Sequence, residues 1–122
     1  MGFIRMEAEN ESLSPLKVEE ADSFRKRFLG LMGRKRLPQG QGLLLSPCSS
    51  VHMCFMRFAI DVVYLDGEFR IVKIVRNLLP WIGMSCCLGA KSALELASGE
   101  ADRIGLQVGM KLRAVEQRLW NL

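Results

Sequence analysis

The dipeptide Asp66-Gly67, set between two runs of β-branched and aromatic residues, constrains this chain more than any other feature. Ala59–Leu65 and Glu68–Val75 are rich in Ile, Val, Tyr and Phe, side chains that suit a pleated, half-buried surface. Asp-Gly fits a two-residue type I′ turn, so the three segments together predict a hairpin. Such a turn sets Leu65 opposite Glu68, Tyr64 opposite Phe69, Val62 opposite Ile71, Ile60 opposite Lys73 and Phe58 opposite Val75. One face is then almost wholly apolar and forms core. The other carries Arg57, Asp61, Val63, Arg70, Val72 and Arg76, with Asp61 in diagonal reach of Arg70.

Around this hairpin the pattern stays mostly extended. Ile4, Met6 and Ala8 alternate with charged neighbours as a short edge strand, and Ser14-Pro15 marks a turn. Gly42–Leu45, Met84–Leu88, Lys91–Leu96 and Lys111–Val115 read as further strands. Phe24, Phe28, Leu31 and Met32 lie at helical spacing and predict a helix over about Ala21–Met32, stopped by Gly33. A second, shorter helix is expected over Ser98–Ile104, with Ser98 as its cap and Gly105 as its stop. Gly40-x-Gly42 is followed by an apolar strand and not by a helix, so it carries little weight as a phosphate loop. The expected class is α+β, mostly β. It is a compact β-barrel or jelly-roll-like sandwich with one N-terminal helix and one short helix near the C-terminus.

With 122 residues, 49% of them hydrophobic, residues 1–122 are expected to form one domain with a single core. The apolar runs fall far short of the ~20 residues of a membrane helix. Charged Arg5, Glu7 and Glu9 interrupt any signal-peptide core, and Met6 stands where a myristoylation motif wants Ser or Thr. The expectation is a cytoplasmic protein that uses no membrane. A formal charge of +4 includes two basic triplets, Arg25–Arg27 and Arg34–Arg36. Acidic Glu19, Glu20 and Asp22 adjoin them and no aromatic residue is interleaved, so nucleic acid is not the expected partner. Oligomeric state is not legible.

The segment Pro47–Arg57 gathers the only histidine, His52, with Cys48 and Cys54. If extended, its even-numbered residues Cys48, Ser50, His52, Cys54 and Met56 share a face. These are soft or borderline metal ligands, yet no closely spaced cysteine pair completes a zinc set, and neither metal nor cofactor is expected. Without a secretory signal the four cysteines, Cys48, Cys54, Cys86 and Cys87, read as free thiols. A nucleophile reading would activate Cys48 or Cys54 by His52, with Asp61 orienting the imidazole. The Arg57/Asp61/Arg70/Arg76 group reads equally as a small-anion site and as a solvated face laced with weak ion pairs. Asp61 stands out, because aspartate is disfavoured in mid-strand and needs a reason.

Several stretches together resemble the prokaryotic family known as domain of unknown function 192, over about Ser23–Val115. They are Leu29–Arg34, Gly42–Leu45, Cys48–His52 with Phe55–Arg57, Ile60–Asp66, Gly89-Ala90 with Leu94–Leu96, and Gly99 with Gly105 and Val108-Gly109. The resemblance implies a mostly β barrel or jelly roll and no established activity. Some relatives look secreted or lipid-anchored. Where the family commonly has proline this chain has Ala59 and Ala97, where it has an acidic residue the chain has Met110, and Cys54 is not a usual member. Among matching residues, His52, Met56, Arg57 and Asp61 have the least obvious structural role.

The leading expectation is a module that binds a small anionic or peptide ligand through His52, Met56, Arg57, Asp61 and Trp81. A Cys48/His52 enzyme is the alternative from another class. A third is an assembly module packing Leu78, Leu79, Trp81 and Ile82 on another chain.

Overall fold

The structure, a computed structural model, describes residues 3–9, 13–21, 37–53 and 56–115. Its strands are β1 (Phe3–Ala8), β2 (Leu16–Ala21), β3 (Gln41–Leu45), β4 (Ser50–His52), β5 (Ile60–Leu65), β6 (Ile71–Leu78), β7 (Met84–Cys86), β8 (Ser92–Ala97) and β9 (Leu112–Val115). One short helix, α1 (Glu100–Ile104), follows β8. Seven strands form a sheet in the order β6-β5-β8-β3-β2-β1-β9, and β4 and β7 form a separate antiparallel ribbon. Within the large sheet only β2 and β3 run parallel.

The sheet curls until its two edges meet at one end. Ile71 N–H donates to Met110 O at 2.7 Å, Gly109 N–H to Ile71 O at 2.8 Å and Leu112 N–H to Phe69 O at 2.9 Å. Those bonds join the start of β6 to the start of β9, the two outermost strands, and make a curled half-barrel. The mostly β class is as expected. The helix expected over about Ala21–Met32 lies, after Ala21, outside the described residues, and Ala21 itself ends β2.

β5 lies inside the sheet, paired with β6 on one side and β8 on the other, and all six of its residues are buried. Ile60, Val62 and Tyr64 enter one apolar cluster with Val51, Met53 and Met56. Val63 and Leu65 enter a second one with Met6, Val18 and Leu112. A single strand therefore feeds two cores, and the expected split into an apolar and a charged face does not occur.

The hairpin exists, but its register differs from the expected one: Val62 opposes Val75, Tyr64 opposes Lys73 and Leu65 opposes Ile71. The cause is the Asp66 side chain. Its Oδ1 accepts the N–H groups of Glu68 at 2.8 Å and Arg70 at 3.0 Å, while Phe69 N–H donates to Asp66 O at 3.1 Å. Asp66 thus occupies the first position of a type I turn, which favours aspartate, and Phe69 follows at φ 62°. This is the longer, bulged loop and not the two-residue turn.

Two more expectations change. β1 is no edge strand, since β2 and β9 flank it. Among the described residues of 48–56 only Ser50–His52 is extended, with Val51 buried between exposed Ser50 and His52. Cys48 and Met56 are buried in the core, so the even-numbered residues do not share one face, and Cys54 lies outside the described residues.

Candidate functional site

α1 opens on Gly99, which has φ 92° and whose position offers no side-chain cap. The first N–H groups of a helix lack intrahelical partners, and here Asp61 supplies the acceptor from β5. Its Oδ2 accepts Ala101 N–H at 3.0 Å and Gly99 N–H at 3.1 Å, and its Oδ1 accepts Asn77 N–H at 3.0 Å. Asp61 is 1% exposed. This is the reason for an aspartate in mid-strand: it caps a helix 40 residues away and fixes Asn77 of β6 in its left-handed conformation, φ 54°, where the pairing with β5 shifts register. Ser98, expected as the cap, instead donates through Oγ to Asn77 Oδ1 at 2.8 Å.

The guanidinium group expected around Asp61 disperses. Arg70 Nη1 donates to Gly109 O at 2.8 Å, and Arg76 pairs with exposed Asp102 at 2.8 Å. The same end of the sheet holds Glu100, which the sequence did not single out. Its buried carboxylate accepts from Arg103 and from Gly40 N–H at 2.8 Å. The Arg103 guanidinium, aided by Gly40 N–H against the cost of burial, holds this carboxyl below its ordinary value. Gly40 therefore spends its N–H on a carboxylate, which removes it from any phosphate-loop role.

A different arrangement surrounds Met53. Its N–H donates to Gly83 O at 2.9 Å, and its carbonyl accepts Trp81 N–H at 2.8 Å and Met56 N–H at 3.0 Å. One buried residue so ties together the end of β4, the backbone at Met56 beside Arg57, and the loop after β6. His52 and Arg57 are exposed, whereas Met56 is buried. Trp81 is 56% exposed although its backbone sits at φ 69°, a conformation strained for a bulky residue. A Cβ on Gly83 would meet Leu79 O at 2.5 Å and Met53 Cγ at 2.9 Å, so glycine is what lets the loop close. Leu79, Ile82 and Met84 stand exposed around Trp81, while Leu78, expected among them, is buried.

Of the expected site residues, Trp81 is bonded through its backbone to Met53, His52 and Arg57 adjoin Met53 and Met56 in the chain, and Asp61 is set apart as an internal acceptor. Cys48 is buried, its Sγ donating to Ser50 O at 3.1 Å, while His52 is exposed, so the imidazole does not share the thiol's apolar surroundings. Cys48, Cys86 and Cys87 are free thiols. Tyr64 reaches from β5 to the ribbon, its hydroxyl 2.6 Å from Ser85 Oγ, and burial pushes its phenol up. Among the described residues no cluster of three or more His, Cys, Asp or Glu is placed to hold a metal ion, and no helix is long and apolar enough to cross a membrane.

A curled β half-barrel with one short helix capped from within, and an exposed aromatic junction beside a two-stranded ribbon, defines a mostly β class of small domain. Within that class the chain belongs to the DUF192 family, described as Uncharacterized ACR, whose model matches residues 5–114. The match begins well before Ser23, where the sequence resemblance starts, and so takes in β1 and β2. The UPF0127 protein PF1050 of Pyrococcus furiosus is 36% identical over 111 residues, 87% of this chain and 88% of that one. A solved structure of a protein of unknown function from Novosphingobium aromaticivorans shares the fold at a TM-score of 0.81 and 21% identity, covering 91% of this chain and 84% of that one. A Sinorhizobium meliloti protein described as a candidate transcription regulator shares it at 0.82 and 22%, covering 92% of each chain.

Proposed function

We propose that this chain is a binding module whose ligand, a small anion with an apolar body or a short peptide, rests on the junction organised by Met53. Trp81 supplies the apolar contact, Arg57 the charge-assisted bond to an anionic group, and His52 a further donor or acceptor. Met56 supports this surface from within, while Asp61 acts through the fold by holding Asn77 and the start of α1. The observation that carries the reading is Trp81 itself. A bulky residue held at φ 69° and more than half exposed costs stability, and such strain gathers where it serves a ligand. A cytoplasmic, single-domain protein fits the same reading, and the free thiols Cys48, Cys86 and Cys87 support it.

The test is a thermal-shift screen of small carboxylates, phosphate esters and acidic peptides, followed by calorimetric titration of each hit. A ligand of this site loses at least tenfold in affinity on Trp81→Ala and on Arg57→Ala, with the melting temperature of the free protein little changed. Hits indifferent to both substitutions would remove the proposal. The exposed run of Leu79, Trp81, Ile82 and Met84 favours a second reading, an assembly surface. Light scattering decides it, since a strict monomer at high concentration excludes self-association.

A further inference from the structure

Three side chains with nitrogen or sulfur donors stand together on the solvent face of the β4–β7 ribbon. His52 lies directly opposite Met84, and Cys86 lies opposite Ser50. Opposed residues share a face of an antiparallel pair, as do residues two apart on one strand. His52, Met84 and Cys86 therefore project to the same side, and all three are exposed while Val51 points into the core. Met84 is 78% exposed, a large apolar side chain with no packing role on this face.

The spacing suits one ion. Opposed Cβ atoms lie about 4.5–5.5 Å apart and diagonal ones about 7–8 Å, within reach of aromatic and long side chains. Nitrogen and sulfur ligands bind at about 2.0–2.3 Å, and the three rotatable bonds of methionine allow its sulfur to close on the ion last. The frame is already fixed. Val51 anchors in the core, Ser85 bonds Tyr64, and Cys87 N–H donates to Ser49 O at 2.8 Å. Lys73 Nζ donates to Cys86 O at 2.8 Å, which holds the backbone that carries the cysteine.

The donors choose the ion. A thiolate, a thioether and one imidazole are a soft set, and thiolate and thioether select monovalent copper over magnesium, calcium or manganese. Zinc would want a fourth protein ligand of the His, Cys or carboxylate kind, and among the described residues no such cluster exists. We propose that His52, Met84 and Cys86 bind one Cu(I) ion on the face of the ribbon. The Cys86 thiol gives its proton to solvent, and copper keeps its oxidation state. Met84 and Cys86 play no part in the anion-binding reading, and Arg57 plays none here, so the two can fail separately.

The probe is Cu(I) supplied as its bicinchoninate complex, added anaerobically to the full, reduced chain, with loss of the chromophore reporting transfer. One equivalent is expected to move to the protein, with quenching of Trp81 fluorescence in a Trp120→Phe background. Met84→Leu, His52→Ala and Cys86→Ser should each weaken transfer at least tenfold, while Cys48→Ala should match the wild type. Because the three ligands are exposed, an unchanged circular-dichroism melt verifies that each variant is folded. Absence of transfer from the complex overturns the proposal. So does undiminished transfer in Met84→Leu and Cys86→Ser, which would put the copper on other thiols.

Discussion

The two ends of this molecule treat polar side chains in opposite ways. Around α1, Asp61 and Glu100 are buried, and their oxygens are taken up by backbone N–H groups and by Arg103. Around the β4–β7 ribbon, His52, Arg57, Met84 and Cys86 are exposed, and the Met53 backbone bonds Gly83 O and Trp81 N–H of the neighbouring loop. A conspicuous carboxylate is consumed by the fold at the first end. At the second, the side chains of His52, Arg57, Met84 and Cys86 face solvent. The contrast separates polar groups that the fold uses from polar groups that it leaves accessible.

The largest effect should come from breaking the internal end. Asp61→Ala strands the buried N–H of Ala101 and the part-buried ones of Asn77 and Gly99; a buried orphan costs about 1–3 kcal/mol and the others less, so a loss of roughly 2–4 kcal/mol is expected from urea denaturation. Asp61→Asn keeps an acceptor and should lose less. A loss for Asp61→Ala below about 1 kcal/mol would return Asp61 to the list of ligand-binding residues.

Next comes the loop that makes the exposed end. Gly83→Ala forces a Cβ to 2.5 Å from Leu79 O, which is backbone and cannot swing away. The expected loss is about 1–3 kcal/mol, the usual cost of overpacking. Because Met53 binds both Gly83 and Trp81, amide exchange at Trp81 should rise as well. Exchange unchanged there would show that the junction is not one cooperative unit.

Glu100 tests the internal end by pH. Its carboxyl is held below the ordinary value near 4.5, chiefly by Arg103, so its contribution to stability is present above that value. As pH falls through the lowered folded value, the contribution is lost. Glu100→Gln should therefore cost about 1–2 kcal/mol at neutral pH, and the gap to the wild type should close in acid. A gap constant from pH 7 to below 3 would mean that charge is not what Arg103 and Gly40 recognise.

Both ends were partly legible in the sequence, each for a local reason. Gly105 announced the end of α1 and indeed sits there at φ 90°. Asp66-Gly67 announced a hairpin, but the register depended on a side chain bonding two and four residues onward, which the dipeptide alone does not encode. Asp61 was correctly odd, yet its partners lie 16, 38 and 40 residues away, where no periodicity reaches. β4 is extended for only three residues, so the alternation that turns His52 to solvent does not extend to Cys48 and Met56, which are buried in the core. Met84 and Cys86 became notable only when pairing set them beside His52 and Ser50.

The smallest expected effect bears on the strain at Trp81. Trp81→Ala and Trp81→Gly both remove the ring, and with it the same contacts and any stacking on a ligand. They differ in the backbone. Alanine at φ 69° keeps the left-handed penalty of roughly 1–2 kcal/mol, whereas glycine adopts that conformation freely. Glycine costs about 0.5–1 kcal/mol more than alanine in chain entropy, so the glycine variant should be the more stable by several tenths to about 1 kcal/mol. That ordering, read from paired denaturation curves, runs against the usual ranking of the two residues. If alanine proves equal or better, Trp81 is not left-handed in solution, and the strain that supports a ligand at the exposed end disappears with it.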